Sequence, residues 1–247
     1  TCRCGHGSSA RSPVPIAVQM AIGLAAWGAC ALALLSIAVD GIVSKPTMME
    51  LCDAFFALAP PTRLRLRDEI LSGALEALDA GQADLAIGTP EPHSNRDILG
   101  RSLGDVAFVY AVAPHHALAT APEPLSDAVL RAHRVVAVAD TRQRGTGMTV
   151  GLIGGQDVFT VPTMLAKLDA QLRGMGGGFL PEPMARPYIA TGRLVARATD
   201  RRVRTARVHY AWRNRAPAPP GRALQWWLAQ LDSAATRAAL LNQHAGP

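Results

Sequence analysis

Short apolar runs that stop at a polar residue or a glycine recur along this chain. One runs from Leu34 to Val39 and stops at Asp40, and another runs from Ala83 to Gly88. Runs of this length with no polar alternation are typical of buried parallel strands. Parallel strands require crossover connections, which are usually helices, so the pattern predicts an α/β fold.

Helix signals and a further strand follow the first run. Ser44 is placed to cap a helix over residues 46–58, and Ser72 is placed to cap a helix over residues 73–80. The alternation from Arg63 to Arg67 predicts a strand between them with one exposed face. The remaining predicted strands cover residues 103–113, 135–138, 158–161 and 207–212, and the remaining helices cover residues 125–131, the segment after Thr163, and residues 223–241.

The stretch from Ala170 to Val195 holds one α/β unit. A helix ends at the glycines between Gly174 and Gly178, Phe179 to Pro181 forms a short strand, and a loop leads to a turn at Thr191. The glycines do not form a phosphate loop, since the segment lacks the GK[ST] of that motif and follows a helix where such motifs follow a strand. We therefore expect them to form a tight turn.

The length of the chain allows one large domain or two lobes of about 100 residues each. The 247 residues carry a net charge of +6, which would suit a nucleic-acid partner, but eight arginines lie between Arg193 and Arg215. Their alternation with apolar residues favours a solvated sheet edge, where charges discourage pairing between sheets, over a nucleic-acid patch. The four cysteines form no CxxC pair, which fits a reduced, cytoplasmic setting.

The N-terminal residues 1–33 are atypical, and two interpretations stay open. Residues 16–39 are apolar and long enough for a helix that crosses a bilayer of about 30 Å, and basic residues precede them, as in a secretory signal peptide. The end of the same run has the form of the first buried strand, which favours a truncated linker before that strand. Cys2, Cys4 and His6 do not suggest zinc, because no second pair of ligands follows.

Five segments of this sequence match a known protein family in order and spacing. They read LLSIAVDG, LRLRDEILSGALEALDAGQADLAIG, VYAVAPHHALA, QDVFTVPTMLAKLDAQLRGMGGGFLPEPMA and IATGRLV. Together they resemble the effector-binding domain of LysR-type transcriptional regulators over roughly residues 34–241.

This resemblance implies a two-lobed fold like that of the type II periplasmic binding proteins, with a small molecule between the lobes. Two crossover strands, near residues 109–114 and 206–210, would join the lobes. Lobe I would comprise residues 34–112 and 207–241, lobe II would comprise residues 113–206, and residues 242–247 would form a tail.

The family's DNA-binding module, a winged helix-turn-helix, has no recognisable counterpart in residues 1–33, which lack a basic recognition helix. DNA binding is therefore expected only through a module that this sequence does not show. The resemblance also implies a homodimer or a higher homo-oligomer, in which a helix of lobe I packs against the partner's second lobe. The stripe on that helix is Met48, Met49, Cys52 and Phe56, and a core stripe would have the same spacing.

In this fold, ligands lie at the carboxyl ends of strands, where helix N-termini converge. Free N–H groups and the helix dipole at such ends favour an anion, so we expect a small carboxylate effector. Taken singly, each candidate residue is more typical of an ordinary cap or turn residue, worth about 1 kcal/mol of stability, whereas the cleft as a whole favours a ligand. The candidate effector-binding residues are Ser44, Thr89, Asp140, Thr141, Pro162 and Thr163.

No catalytic or cofactor-binding pattern is recognisable. His115 and His116 have no Asp, Glu or Cys at ligand spacing, so a solvated loop is expected there and not a metal site. Ser44 and Lys45 are adjacent after a strand and do not aim at one point, and the sequence contains neither GxSxG nor HExxH. We predict no enzymatic activity, no metal and no cofactor.

The sequence thus predicts the effector-sensing domain of a cytoplasmic LysR-type regulator, whose lobe or dimer arrangement shifts on ligand binding. An exported solute-binding protein of the same fold, with residues 1–33 as its signal, is the alternative. A third hypothesis is a standalone module that dimerises with full-length relatives.

Overall fold

Strands and helices alternate from Ala33 to Thr89 in the computed structural model, as the apolar runs predict. The structure describes residues 33–92, 97–143, 150–202, 205–214 and 219–246. The signal-like segment up to residue 32, with Cys2, Cys4 and His6, lies outside the described residues. Within the described ranges, every helix is too short or too polar to span a bilayer.

Six strands form one hydrogen-bonded path in the order β2-β1-β3-β9-β4-β7. The first three are parallel to one another, and β9 runs antiparallel to β3. Strand β8 also pairs with β4, and β5 and β6 form a separate parallel pair. The strands are β1 (Ala33–Asp40), β2 (Thr62–Glu69), β3 (Leu85–Thr89), β4 (Ile98–Val112), β5 (Val135–Val138), β6 (Val158–Val161), β7 (Gly178–Pro181), β8 (Val195–Arg197) and β9 (Thr205–Arg213).

Seven α-helices connect or cover these strands in the described part of the chain. They are α1 (Lys45–Phe56), α2 (Gly73–Asp79), α3 (Asp127–Arg131), α4 (Met164–Leu172), α5 (Glu182–Ala190), α6 (Arg222–Asp232) and α7 (Ala234–Asn242).

Strand β4 carries the chain from one lobe to the other. It pairs with β9 as far as Ala107 and with β7 from Phe108 onward. We name the part that contains β1 to β3, α1, α2, α6 and α7 lobe I, and the part that contains β5 to β8 and α3 to α5 lobe II. The residue boundaries of the lobes given above stay a prediction.

The core of lobe I is aromatic and aliphatic. Phe55 on α1 and Trp227 on α6 are fully buried, with ring centroids 6.1 Å apart. Met48 and Cys52 on α1 belong to the same core, so they are not part of an exposed interface stripe. The core continues into lobe II through Met164 and neighbouring side chains, so the two lobes share apolar contacts.

Two predicted elements differ from the structure. A helix, α5, stands where the sequence predicts a loop after Pro181. Pro183 is compatible with it because the first N–H groups of a helix have no intrahelical acceptor. The single predicted helix over residues 223–241 is two helices, because Ser233 adopts an extended backbone and caps α7 by accepting from Thr236 N.

Candidate functional site

The two lobes meet where strands of each end. A Cβ atom added to Gly41, just after β1, would lie 3.1 Å from Cβ of Met164 at the start of α4. After β2, Ile70 O accepts a backbone hydrogen bond of 3.4 Å from Thr141 N. We name this region the interlobe seam; it comprises residues 40–41 and 69–73 of lobe I and residues 140–141 and 163–164 of lobe II.

Thr141, one of the predicted residues, ties the seam together. Its hydroxyl donates to Oε2 of Glu69 over 2.6 Å and accepts from Ile70 N over 2.9 Å. Gly73 lies directly against the same hydroxyl, and any side chain there would collide with it. The glycine at the start of α2 therefore permits this close approach of the lobes.

Asp140, also predicted, binds the first turn of α2. Ser72 Oγ donates to Asp140 Oδ2 over 2.5 Å, and Asp140 Oδ1 accepts from Arg142 N over 3.0 Å. Ser72 stands at the N-cap position of α2, as predicted, but its side chain makes no capping hydrogen bond, because the hydroxyl donates to Asp140 of the other lobe. A third contact joins Gln143 N to Glu76 Oε2 over 2.6 Å.

A small polar depression of about 50 Å³ opens beside these contacts. Arg67, Glu69 and Glu76 line it from lobe I, and Thr141 and Gln143 line it from lobe II. Side chains of both lobes are therefore available to one small polar molecule.

Asp40 is a seam residue that was not among the predicted site residues. It ends β1, is buried, and accepts from Ile42 N (2.9 Å) and Leu71 N (2.7 Å). Burial raises the pKa of Asp40 to about 7, and the nearby Asp140 carboxylate adds to the rise, whereas the two N–H donors and Lys45 oppose it. The signal in the sequence was the polar residue that stops the first apolar run.

Ser44 and Thr89 lie away from the open part of the seam. Ser44 caps α1, as predicted, by accepting from Thr47 N, and its own N–H donates to Leu240 O of α7 over 2.8 Å. Its hydroxyl also bonds to the backbone oxygen of Gln243. Thr89 is buried at the end of β3, with its hydroxyl 3.4 Å from His209 O. The hydroxyls of both residues thus have protein partners, and a binding role for them stays a prediction.

Pro162 and Thr163 are exposed at the entry to α4. Thr163 caps this nine-residue helix as predicted, with its hydroxyl accepting from Ala166 N over 3.0 Å. The structure therefore brings Asp140, Thr141 and Thr163 to the seam and leaves Ser44 covered by α7.

The histidines and the arginine-rich segment lie outside the seam. Among the described residues, no three His, Cys, Asp or Glu side chains come together as metal ligands. His115 is exposed, and Nδ1 of His116 accepts from Leu118 N over 3.1 Å. In the arginine-rich segment, Arg201 pairs with Asp127 and Arg207 pairs with Asp105, which fits a solvated surface.

Comparison with known proteins identifies the family. The LysR substrate binding domain matches residues 33–236. The chain is 32% identical over 194 residues to the uncharacterized HTH-type transcriptional regulator YeeY of Escherichia coli K12, covering 78% of this chain and 62% of that protein. It thus spans less than two thirds of this relative's length.

Solved structures show the same fold. Full-length LysG from Corynebacterium glutamicum has a TM-score of 0.60 at 21% identity, covering 86% of this chain and 68% of that chain. The effector binding domain of QuiR in complex with shikimate has a TM-score of 0.58 at 13% identity, covering 81% and 95%. The two-lobed, type II periplasmic-binding-protein-like fold is thereby confirmed. The family consists of transcriptional regulators and not of enzymes, and this chain belongs to the LysR family through its substrate-binding domain.

Proposed function

We propose that this chain is the effector-sensing part of a transcriptional regulator and that a small molecule bound at the interlobe seam modulates transcription. The observation that carries the proposal is the set of polar contacts across the seam, made by Thr141 with Glu69 and by Asp140 with Ser72. A ligand that replaces these contacts changes how the lobes are held, and it shifts the equilibrium by its differential affinity for the two arrangements.

We further propose a carboxylate effector, held by the N-terminal end of α4 next to Thr163. The free N–H groups and the helix dipole there favour an anion, but Asp40 and Asp140 lie in the same seam and repel one. A carboxylate ligand would raise the pKa of Asp40 further, so its binding would take up a proton. Affinity should therefore fall as the pH rises above about 7.

A thermal-shift screen against small carboxylates, beginning with shikimate, tests this proposal. A ligand that binds the folded chain raises its Tm by mass action. Thr163→Ala should abolish the rise that a carboxylate bound at the seam, such as shikimate, gives, whereas Ser126→Ala, which removes the cap of α3 at an exposed position, should retain it. Equal responses of the two variants, or no carboxylate that raises Tm, would contradict the proposal.

Oligomerisation, DNA binding and a cytoplasmic location are proposed for the whole regulator by family membership. Met49 and Phe56 on α1 expose about half of their surface, and Phe159 and Leu165 are exposed in lobe II. We propose that these two apolar patches meet in an antiparallel homodimer. Sedimentation of a Phe56→Glu variant should show a shift toward monomer, and an unchanged mass would reject this interface.

The exported alternative has no support in these relatives, which are regulators. DNA binding is proposed only for a protein that carries a winged helix-turn-helix together with this domain.

A further inference from the structure

Two polar side chains lie buried on one face of α4, and the amide of one of them has no hydrogen-bond partner among the described residues. Lys167 keeps 7% of its surface exposed, and Gln171, one helical turn further on, is fully buried. Neither the nitrogen nor the oxygen of the Gln171 amide has a hydrogen-bond partner among the described residues. Buried polar groups are normally paired, and an unpaired one destabilises the fold, so the Gln171 amide needs an explanation.

No acidic side chain neutralises Lys167. All 19 Asp and Glu residues of the chain lie in the described ranges, and none of them acts on this lysine. Burial alone lowers the pKa of Lys167 to about 8. Ion pairs in this lobe form elsewhere, for example between Arg173 and Asp169 on the exposed face of the same helix.

Gly178 on β7 makes the room that these two side chains occupy. A Cβ atom at Gly178 would lie 2.8 Å from Gln171 Nε2 and 3.3 Å from Lys167 Cε. On the neighbouring strand, Gly178 pairs with Ala111, so the sheet under α4 carries small residues at two adjacent positions. The lysine end and the glutamine amide thus lie together over a part of the sheet with almost no side chains.

We propose that Lys167 and Gln171 form an internal site in lobe II for a small carboxylate. The ammonium donates to one carboxylate oxygen and the amide nitrogen donates to the other, as charge-assisted hydrogen bonds require. The single negative charge neutralises the single buried positive charge. Because Lys167 and Gln171 are both buried, the site favours a compact ligand, so acetate is the probe.

This site is distinct from the interlobe seam and does not rest on the proposed effector function. Thr163 lies at the N-terminal end of α4, one turn before Lys167. The carboxylate comes either from a free small acid or from an effector that enters through the seam. A seam variant separates these two sources.

The lysine content of the chain provides a direct measurement, because Lys45 and Lys167 are its only lysines. In the full chain labelled with ¹⁵N-lysine, NMR follows the side-chain nitrogen of each residue during a pH titration with and without acetate. We expect acetate to raise the pKa of Lys167 by about one pH unit or more, which corresponds to roughly tenfold tighter binding to the protonated form. Lys45, which is partly exposed and paired with Asp68, is the internal control and should not change.

Three variants complete the test. Lys167→Met should fold, since it removes a buried charge, and should lose the rise in Tm that acetate gives to the parent chain; Gln171→Leu should reduce that rise. Thr163→Ala should leave it unchanged. Acetamide, the neutral analogue of acetate, should have no effect. An acetate effect that persists in Lys167→Met, a Lys167 pKa insensitive to acetate, or an effect lost in Thr163→Ala would overturn a separate carboxylate site.

Discussion

The helix faces that cover the two sheets differ in what they bury. In lobe I, α1 and α6 bury Phe55 and Trp227, and apolar side chains fill the space above β1 and β3. In lobe II, α4 buries Lys167 and Gln171 above β7. The apolar faces of α1 and α6 stabilise lobe I, whereas the buried polar side chains of α4 destabilise the contact between α4 and β7 in lobe II. Such a loss of stability is typical of a site that binds something.

The largest expected effect is on the apolar face of lobe I. Trp227→Ala removes a fully buried indole that packs against Phe55, so we expect the free energy of unfolding to fall by about 3 to 5 kcal/mol. Urea denaturation measures it. Leu58→Ala, at an exposed side chain just after α1, should change stability by only about 0.5 kcal/mol. Similar losses in both variants would show that α6 does not anchor lobe I.

The buried lysine should give lobe II a distinctive pH dependence. The pKa of Lys167 is about 8 in the folded chain and 10.5 in the reference state, so the unfolded chain binds more protons between these values and stability rises with pH. Tyr110 and Cys52 also titrate in the alkaline range, and comparison with Lys167→Met cancels their contributions. The advantage of Lys167→Met over the parent chain should shrink by about 2 kcal/mol between about pH 7.5 and 9.5.

Urea denaturation at the two pH values checks this expectation. Lys45→Arg is the matched control, because it changes the other, partly exposed lysine but keeps a positive charge near Asp40, and it should show no such change. A constant difference between the parent chain and Lys167→Met would mean that the ammonium is solvated in the folded state.

The sequence predicts the locally determined elements of both lobes better than the contacts between distant residues. Several elements depend on local sequence patterns, and the structure has them at the predicted places. They are the strands at residues 135–138 and 158–161 and the helix caps at Ser44 and Thr163. Gly174, with a φ of 71°, ends α4 as the glycine turn predicts. Such caps, strands and turns can be predicted from the sequence because residues close to them in the chain determine them.

Long-range packing accounts for the features that the sequence does not show. The sequence does not show that Ser44 is covered by α7, which lies nearly 200 residues later. Lys167 and Gln171 have the residue types of a solvent-facing helix surface, yet they lie on the buried face of α4. Asp40 was visible as the end of a strand, but its role in the seam depends on residues 71 and 140.

Thr141 joins the two lobes, and its hydroxyl should contribute less than the Trp227 core. Thr141→Val leaves Glu69 and the N–H of Ile70 without this partner, so we expect a loss of about 1.5 kcal/mol in urea denaturation. Thr191→Val, which removes an exposed hydroxyl bonded within α5, should cost about 0.5 kcal/mol or less. Equal losses of unfolding free energy in the two variants would mean that apolar contacts, such as Met164 against Gly41, hold the seam together and not the Thr141 hydroxyl.

The smallest expected effect is that of replacing Gln171, the uncharged residue of the buried polar pair on α4. Gln171→Leu replaces a fully buried amide that has no partner among the described residues with an apolar side chain of similar size. Because the desolvation cost of the amide disappears, we expect a gain of about 1 kcal/mol in the absence of carboxylate. Gln225→Leu on the exposed side of α6 is the control and should be close to neutral. A loss of stability in Gln171→Leu would mean that the amide is already satisfied, for example by bound water, and that the two helix faces differ less than their composition indicates.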